Sequence, residues 1–435
     1  MRITVSDMLR AMGARLPMGS PGAEVEGAFV DSRSPVEGAL FVGLRGEVAD
    51  GGQYAYDALR AGAAAALVSE STWRWIEGDV QPLRKPVIVA ADPLAAFQAA
   101  GRLALQRSGA RVVAITGSTG KTTTKDILLA LLAAAGVRAA GTPGNLNTEI
   151  GVPMALMGLP EGIEVAVVEM GMRGAGQIRA LAGLAPPDVA CITAIAPVHL
   201  EVLGSMEAVA AAKAEVLEAL QPGGVAVVPD AEPLLEPHLQ ALDPGVRVVR
   251  VGDVTTIDLD LNLSKGWERR NAAAALAVCE ALGVAVPAGA SVTVELSPMR
   301  GQESPLPGGG TLIEDCYNAN PLAMEAALED LAGRPGRRVA VLGDMLELGP
   351  DERRYHREVG AAARAAGVDL LVAVGERAAA YLEGADAPPC VHFATVEEAM
   401  EGLPGWLQPG DTVLLKASRG MALERVGARL LAGQR

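Results

Sequence analysis

Along this chain, short uncharged apolar runs alternate with longer stretches of helical character. Val112-Val113-Ala114-Ile115 is one such run, and residues 121–135 form a helical stretch closed by Gly136. Further runs follow at 164–170, 189–195 and 225–228. Strands covered on both faces read as continuous apolar segments, and their alternation with helices specifies a parallel sheet with crossover helices.

On either side the pattern changes. Residues 1–84 hold short apolar runs at 39–44 and 63–68 around a polar Asp31-Ser32-Arg33, which predicts a small N-terminal α/β module. Lys85-Pro86-Val87-Ile88-Val89-Ala90 and the alanine-rich segment after it lead into the central region, so a boundary is expected at residue 84. A Pro- and Gly-rich stretch at 297–310 interrupts the alternation, and new runs at 311–313, 338–342, 370–374 and 412–415 predict a third α/β unit. The expected domains are 1–84, 85–297 and 298–435.

Composition supports this division. A chain of 435 residues exceeds the roughly 250 to 300 at which single cores stop growing. Half of it is hydrophobic, enough for sizeable cores. A net charge of -15 with 3% aromatics argues against a nucleic-acid surface, so any anionic ligand must meet locally placed cations. Cys191, Cys279, Cys316 and Cys390 lie far apart without metal-type spacing and read as free thiols. The N-terminus has no apolar signal core, and no uncharged apolar run reaches the about 18 residues needed to cross a bilayer. A cytoplasmic protein without membrane insertion is expected, acting as a monomer.

The chemistry concentrates at the turn between the run ending at Ile115 and the helix opening at Lys121. Thr116-Gly117-Ser118-Thr119-Gly120-Lys121-Thr122 has the character of a phosphate-binding loop. Its glycines let backbone amides approach phosphate, the helix N-terminus favours negative charge, Lys121 neutralises it, and Thr122 offers a hydroxyl to Mg²⁺. Ile115 stands where the general pattern has another glycine. The chain lacks the Asn-Lys-x-Asp element of guanine-specific switches, which favours adenine.

The segment from Ile115 through Lys125 closely resembles the loop of the Mur ligases of cell-wall synthesis, whose loop has this shortened form. The resemblance extends through Gly144-Asn145-Leu146-Asn147-Thr148-Glu149-Ile150-Gly151-Val152-Pro153, Val167-Val168-Glu169-Met170-Gly171-Met172, Pro197-Val198-His199-Leu200-Glu201 and Lys213-Ala214-Glu215. In the last third, Glu314-Asp315-Cys316-Tyr317-Asn318-Ala319-Asn320-Pro321, Leu342-Gly343-Asp344-Met345-Leu346-Glu347-Leu348-Gly349 and Lys416-Ala417-Ser418-Arg419 look like the branch that adds D-alanyl-D-alanine to UDP-N-acetylmuramoyl-tripeptide. The Asp-Asn-Pro-Arg element of the diaminopimelate-adding sibling and the Gly-Lys-Gly loop of folylpolyglutamate synthases are absent.

This resemblance implies an α/β fold of three domains: a small N-terminal domain for the UDP-linked substrate, a central parallel-sheet ATPase domain and a C-terminal Rossmann-like domain. It also implies an ATP-dependent ligase acting through an acyl phosphate. Gly117, Ser118, Thr119, Gly120, Lys121, Thr122 and Thr123 are then expected to hold ATP phosphates, with Asn271, Arg300 and Asp315 completing the nucleotide site. Thr122, Glu169 and His199 are expected to bind Mg²⁺ with Lys213, which the family carbamylates. Lys121, Lys213, His199 and Glu169 form the expected catalytic set. Ser32 and Arg33 resemble the contact to the uridine nucleotide, and Asn147, Lys416, Ser418 and Arg419 are further expected substrate contacts. Trp267-Glu268 departs from the family's His-Asn pair, and Glu314 from a more usual aspartate. His238, His356 and His392 read as structural or surface residues, with His356 beside Arg353 and Arg354 as a candidate cleft residue.

Overall fold

The computed structural model describes residues 1–47, 49–252, 259–263, 265–385 and 389–433. They form three main sheets, each flanked by helices, in the order the sequence pattern predicts.

The N-terminal sheet has five strands in the spatial order Arg15–Met18, Val87–Ala90, Ala65–Ser69, Leu40–Val42 and Ala28–Phe29. The first pairs antiparallel with its neighbour and the others are parallel. Val87–Ala90 therefore lies inside the N-terminal sheet, and a division at residue 84 would cut it away. All four residues are buried between two neighbouring strands. A short apolar run carries no local mark of which sheet it will join, so sequence position alone misassigns it. Helix Pro93–Ser108, capped by Asp92, then leads to the central sheet.

That sheet is parallel throughout, in the order Arg247–Val251, Val225–Pro229, Val189–Ile192, Arg111–Thr116, Val165–Glu169, Ala139–Gly141. After Arg111–Thr116 the chain builds one side of the sheet and then crosses to the other. This strand is the topological switch point, where open α/β sheets form a ligand crevice beyond their C-terminal ends. The loop after Thr116 opens there.

The third sheet runs Gln302–Pro305, Thr311–Asp315, Thr412–Lys416, Arg338–Gly343, Leu370–Val374, Cys390–Phe393. Its first pair is an antiparallel hairpin and the remainder is parallel. Lys416 ends its third strand, facing the central domain's crevice.

One buried cluster runs through both units, joining Ala114, Val168 and Ile192 of the central sheet to Leu342, Met345 and Leu348 of the third. No helix among the described residues is long and apolar enough to cross a membrane.

Candidate active site

Ile115 is fully buried and pairs with Glu169 on one side and Cys191 on the other. The position must extend a central strand, which explains why an isoleucine stands where the general loop has a glycine. The two glycines that remain are required by space and backbone. Gly117 has φ 150° and a Cβ there would lie 2.0 Å from Thr193 Oγ1; Gly120 has φ 83° and its Cβ would lie 2.4 Å from Asn271 Oδ1. Helix Lys121–Ala134 begins directly after Gly120.

The loop is tied to the rest of the crevice by a continuous polar network. Thr122 Oγ1 donates to Glu169 Oε2 at 2.8 Å, and Asn147 Nδ2 donates to Glu169 Oε1 at 2.7 Å. The Glu169 amide in turn donates to Thr142 Oγ1 at 2.8 Å, so both the backbone and the carboxylate of this buried residue are fixed. Ser118 Oγ donates to the Ala196 carbonyl and accepts from its amide. Lys121 Nζ folds back onto the Gly117 carbonyl at 2.9 Å. Burial lowers the Lys121 pKa, Glu169 opposes this and Arg300 adds to it.

The third domain and the segment leading into it close over this network. Arg300 Nη2 donates to Thr122 Oγ1 at 3.0 Å, and its guanidinium lies 3.8 Å from the Tyr317 ring centroid. Arg300 Nε is buried without a partner among the described residues, an orphan donor at the phosphate end of the crevice. Asn320 caps helix Pro321–Ala332 through its Oδ1 and donates from Nδ2 to the Ser118 carbonyl at 3.4 Å. Lys416 Nζ donates to Asp315 Oδ2 at 2.7 Å and to the Asn318 carbonyl at 3.1 Å.

Lys213 ends helix Met206–Ala214, which Ser205 caps, and is only 2% exposed. Its pKa is held well below the ordinary lysine value, first by burial and then by Lys121. His199 lies in the left-handed region at φ 54° and its Nδ1 pairs with the Glu347 carboxylate. Burial lowers its pKa against the pull of Glu347.

A single cavity of about 1070 Å³ gathers these groups. It is lined by Gly117 through Thr123, Asn147, Glu169, His199, Lys213, Asn271, Arg300, Asp315 and Lys416, with Trp267 and Arg270 beside Asn271. Its volume lies at the upper end of small-molecule sites, about 300 to 1,000 Å³, and leaves room for more than one ligand. Lysines and arginines converge on it in a chain of net charge -15.

Four expected site residues, and the candidate cleft residue His356, do not line this cavity. Arg33 binds Asp31 through two nitrogens at 2.9 and 2.8 Å, and neither it nor Ser32 lines the crevice. Ser418 is buried, where its Oγ accepts from the Leu346 amide at 2.9 Å. Arg419 reaches Glu424 at 2.5 Å, because a half-exposed guanidinium takes the nearest carboxylate. His356 is fully buried and lines no cleft; its Nε2 accepts from the Met345 amide at 3.0 Å. Asn320 and Glu347 stood in recognised segments without an assigned role. Their partners are 202 and 148 residues away, so no local signal marks them.

The oxygens of Thr122 and Glu169 suit a hard cation such as Mg²⁺. No group of three His, Cys, Asp or Glu side chains among the described residues could hold a metal ion by itself. Cys191, Cys279 and Cys316 are buried thiols.

A phosphate loop at the switch point of one parallel sheet, covered by a second α/β domain that adds Lys416 and Arg300, defines a nucleotide-dependent ligase architecture. The model for the Mur ligase middle domain matches residues 115–276 and that for the Mur ligase glutamate ligase domain matches 300–419; with the full-length relatives below, the chain belongs to the Mur ligase family. Those relatives narrow the branch. The chain is 34% identical over 429 residues to the UDP-N-acetylmuramoyl-tripeptide–D-alanyl-D-alanine ligase of Bacillus subtilis, covering 92% of each protein. It is 32% identical over 455 residues to the Escherichia coli enzyme of the same name, covering 98% of this chain and 97% of that one. Among solved structures, MurF from Acinetobacter baumannii superposes with a TM-score of 0.85 at 28% identity over 99% of both chains. MurF from Thermotoga maritima in complex with ADP gives 0.79 at 27% identity, over 94% of this chain and 97% of that one.

Proposed function

We propose that this chain is an ATP-dependent ligase that joins D-alanyl-D-alanine to UDP-N-acetylmuramoyl-tripeptide in the cytoplasmic synthesis of peptidoglycan precursors. The observation that carries the reading is the convergence of Lys121, Thr122, Glu169, His199, Lys213, Arg300 and Lys416 on one cavity between two domains. A phosphate loop alone defines nucleotide binding; these partners add what acyl transfer requires.

Joining a carboxylate to an amine in water is uphill, so the carboxylate must first be activated. The tripeptide's terminal carboxylate oxygen attacks the γ-phosphorus of ATP and ADP departs, leaving an acyl phosphate. The dipeptide's amine then attacks the acyl carbon, loses its proton, and phosphate leaves as the amide forms. Two anions must approach each other in the first step, and fixed positive charge is the largest aid to that approach. The loop amides and Lys121 hold the phosphates, and the orphan Arg300 Nε faces the same end of the crevice. Asn271, beside Gly120, addresses the base with Trp267, while Asp315 and its partner Lys416 serve the ribose and transferred phosphate. Ser32 and Arg33, on the N-terminal domain outside the cavity, hold the uridine nucleotide.

Thr122, Glu169 and His199 would hold Mg²⁺, with Lys213 as its carbamate. Bound there, the ion supplies charge neutralisation to the transferring phosphate. Burial lowers the Lys213 pKa and so favours the modification, since carbamate formation needs an unprotonated amine and replaces a metal-repelling cation by an anion. Docking of the third domain excludes water from the acyl phosphate.

The test is ADP and phosphate release with UDP-muramoyl-tripeptides differing at the third residue, run with D-alanyl-D-alanine, with single amino acids and with neither. Release that needs the dipeptide is expected. Equal release with a single amino acid would assign a sibling ligase, and no release with both substrates present would end the ligase reading.

A further inference from the structure

Glu347 belongs to the third domain and His199 to the central one, and they meet across the boundary. The Glu347 carboxylate pairs with His199 Nδ1, and the next amide, that of Leu200, donates to the Glu347 carbonyl at 2.9 Å. Gly349 presses on the same point, where an added Cβ would lie 3.3 Å from the Leu200 carbonyl carbon. His199 and Glu347 both sit in the left-handed region, at φ 54° and 63°. Non-glycine residues persist there only when their surroundings over-determine them.

Residues 343–346, which carry Glu347 to this contact, are pinned one by one to the third domain. Tyr381 Oη donates to the Gly343 carbonyl at 2.9 Å, and Asp344 Oδ1 accepts from the Ala378 amide at 2.7 Å. The Met345 amide donates to His356 Nε2 at 3.0 Å and the Leu346 amide to Ser418 Oγ at 2.9 Å. This is a rigid strap whose end is a carboxylate aimed at an imidazole of the other domain.

We propose that Glu347 is a positioning residue that fixes the ring orientation and tautomer of His199 when the third domain is docked. By accepting the Nδ1 proton it leaves the Nε2 lone pair to serve the cavity that His199 lines. A carboxylate on the far nitrogen is the usual way an imidazole is oriented toward a metal, and its loss costs about 10- to 100-fold in affinity or activity. The inference rests on the reading of His199 as a metal-facing group in the ligase, and it makes docking of the third domain a condition for a competent His199.

The experiment is proton–nitrogen correlation on the full chain carrying ¹⁵N-histidine, where the ring shifts separate the two tautomers. There are four histidines, and His199→Gln assigns the signal. Wild type is expected to show the Nδ1–H tautomer at His199. Glu347→Ala is expected to shift it toward the Nε2–H form while the His356 signal, held within the third domain, stays in place as a control for folding. In the same variant kcat should fall about 10- to 100-fold with little change in the KM for ATP. Glu347→Gln keeps an acceptor oxygen and should restore the tautomer and most of kcat. An unchanged tautomer in Glu347→Ala, or a changed tautomer with wild-type kcat, would overturn the proposal. If the alanine variant disturbs His356, loss of the Nδ1–H form in Glu347→Gln with His356 intact overturns it instead. The spectra need no substrate, so a chain that released no ADP would refute the ligase reading while the tautomer still judged Glu347.

Discussion

Lys213 shows how burial changes what a side chain can do. Burial of Lys213, only 2% exposed, and the charge of Lys121 hold its pKa well below the ordinary lysine value. The unfolded chain keeps that amine protonated up to its ordinary value. Between the folded and unfolded values the unfolded state therefore binds more protons, and stability rises with pH across that window. Acidification through the folded value charges the amine in place and removes the form that reacts with CO₂. Activity is expected to fall on that acid limb and to recover with added bicarbonate, measured as ADP release in degassed and bicarbonate-supplemented buffer. Lys213→Ala should be inactive without additives and partly rescued by short carboxylic acids; normal activity without rescue would remove the carbamate from the mechanism.

Gly120 makes a second argument at this scale. Any side chain there is strained at φ 83° and collides with Asn271 Oδ1. Gly120→Ala is expected to abolish measurable ADP binding by calorimetry while the far-ultraviolet circular dichroism stays native, because the collision lies in the crevice and not in a sheet.

At the scale of elements, the strap at 343–347 and the segment at 416–419 are joined by a hydrogen bond from the Leu346 amide to Ser418 Oγ. Lys416 lines the cavity, while Ser418 serves the strap by accepting the Leu346 amide. Removing that hydroxyl leaves a half-buried donor unpaired, at a cost of about 1–3 kcal/mol. Ser418→Ala should lower stability by that order in denaturant titration and reduce kcat, with the KM for D-alanyl-D-alanine unchanged. A rise in that KM alone would mean Ser418 touches the dipeptide. Close helix packing gives a further test. Gly101 lies in helix Pro93–Ser108, where a Cβ would come within 2.8 Å of Pro153 Cα. Gly101→Val should destabilise by about 1–3 kcal/mol through overpacking, read from the midpoint of urea unfolding.

Across the whole molecule, the central and third domains share one buried cluster, while the N-terminal sheet meets the central domain through a separate cluster that reaches Met157. Calorimetry is expected to resolve two transitions. An ATP analogue with Mg²⁺ should raise the one belonging to the central and third domains, by about 2.7 kcal/mol at a hundred times its Kd. A uridine nucleotide should act on the other. A single transition moved equally by both would show that the three domains unfold as one.

The features legible in the linear chain are local ones. Apolar runs fixed which segments are strands, the Gly117–Gly120 turn lay legibly between a strand and a helix, and the segments from Ile115 through Lys416 resemble those of one family. Each of those signals is written in neighbouring residues, because strand burial, turn backbone and helix start are short-range demands. Long-range contacts alone place Val87–Ala90 in the N-terminal sheet, bring Lys416 to Asp315 and bury Lys213. They also bring Glu347 to His199 across a domain boundary. Sheet partners, burial and ion pairs depend on which distant residues the fold brings within a few ångströms, and a linear pattern carries no record of that distance.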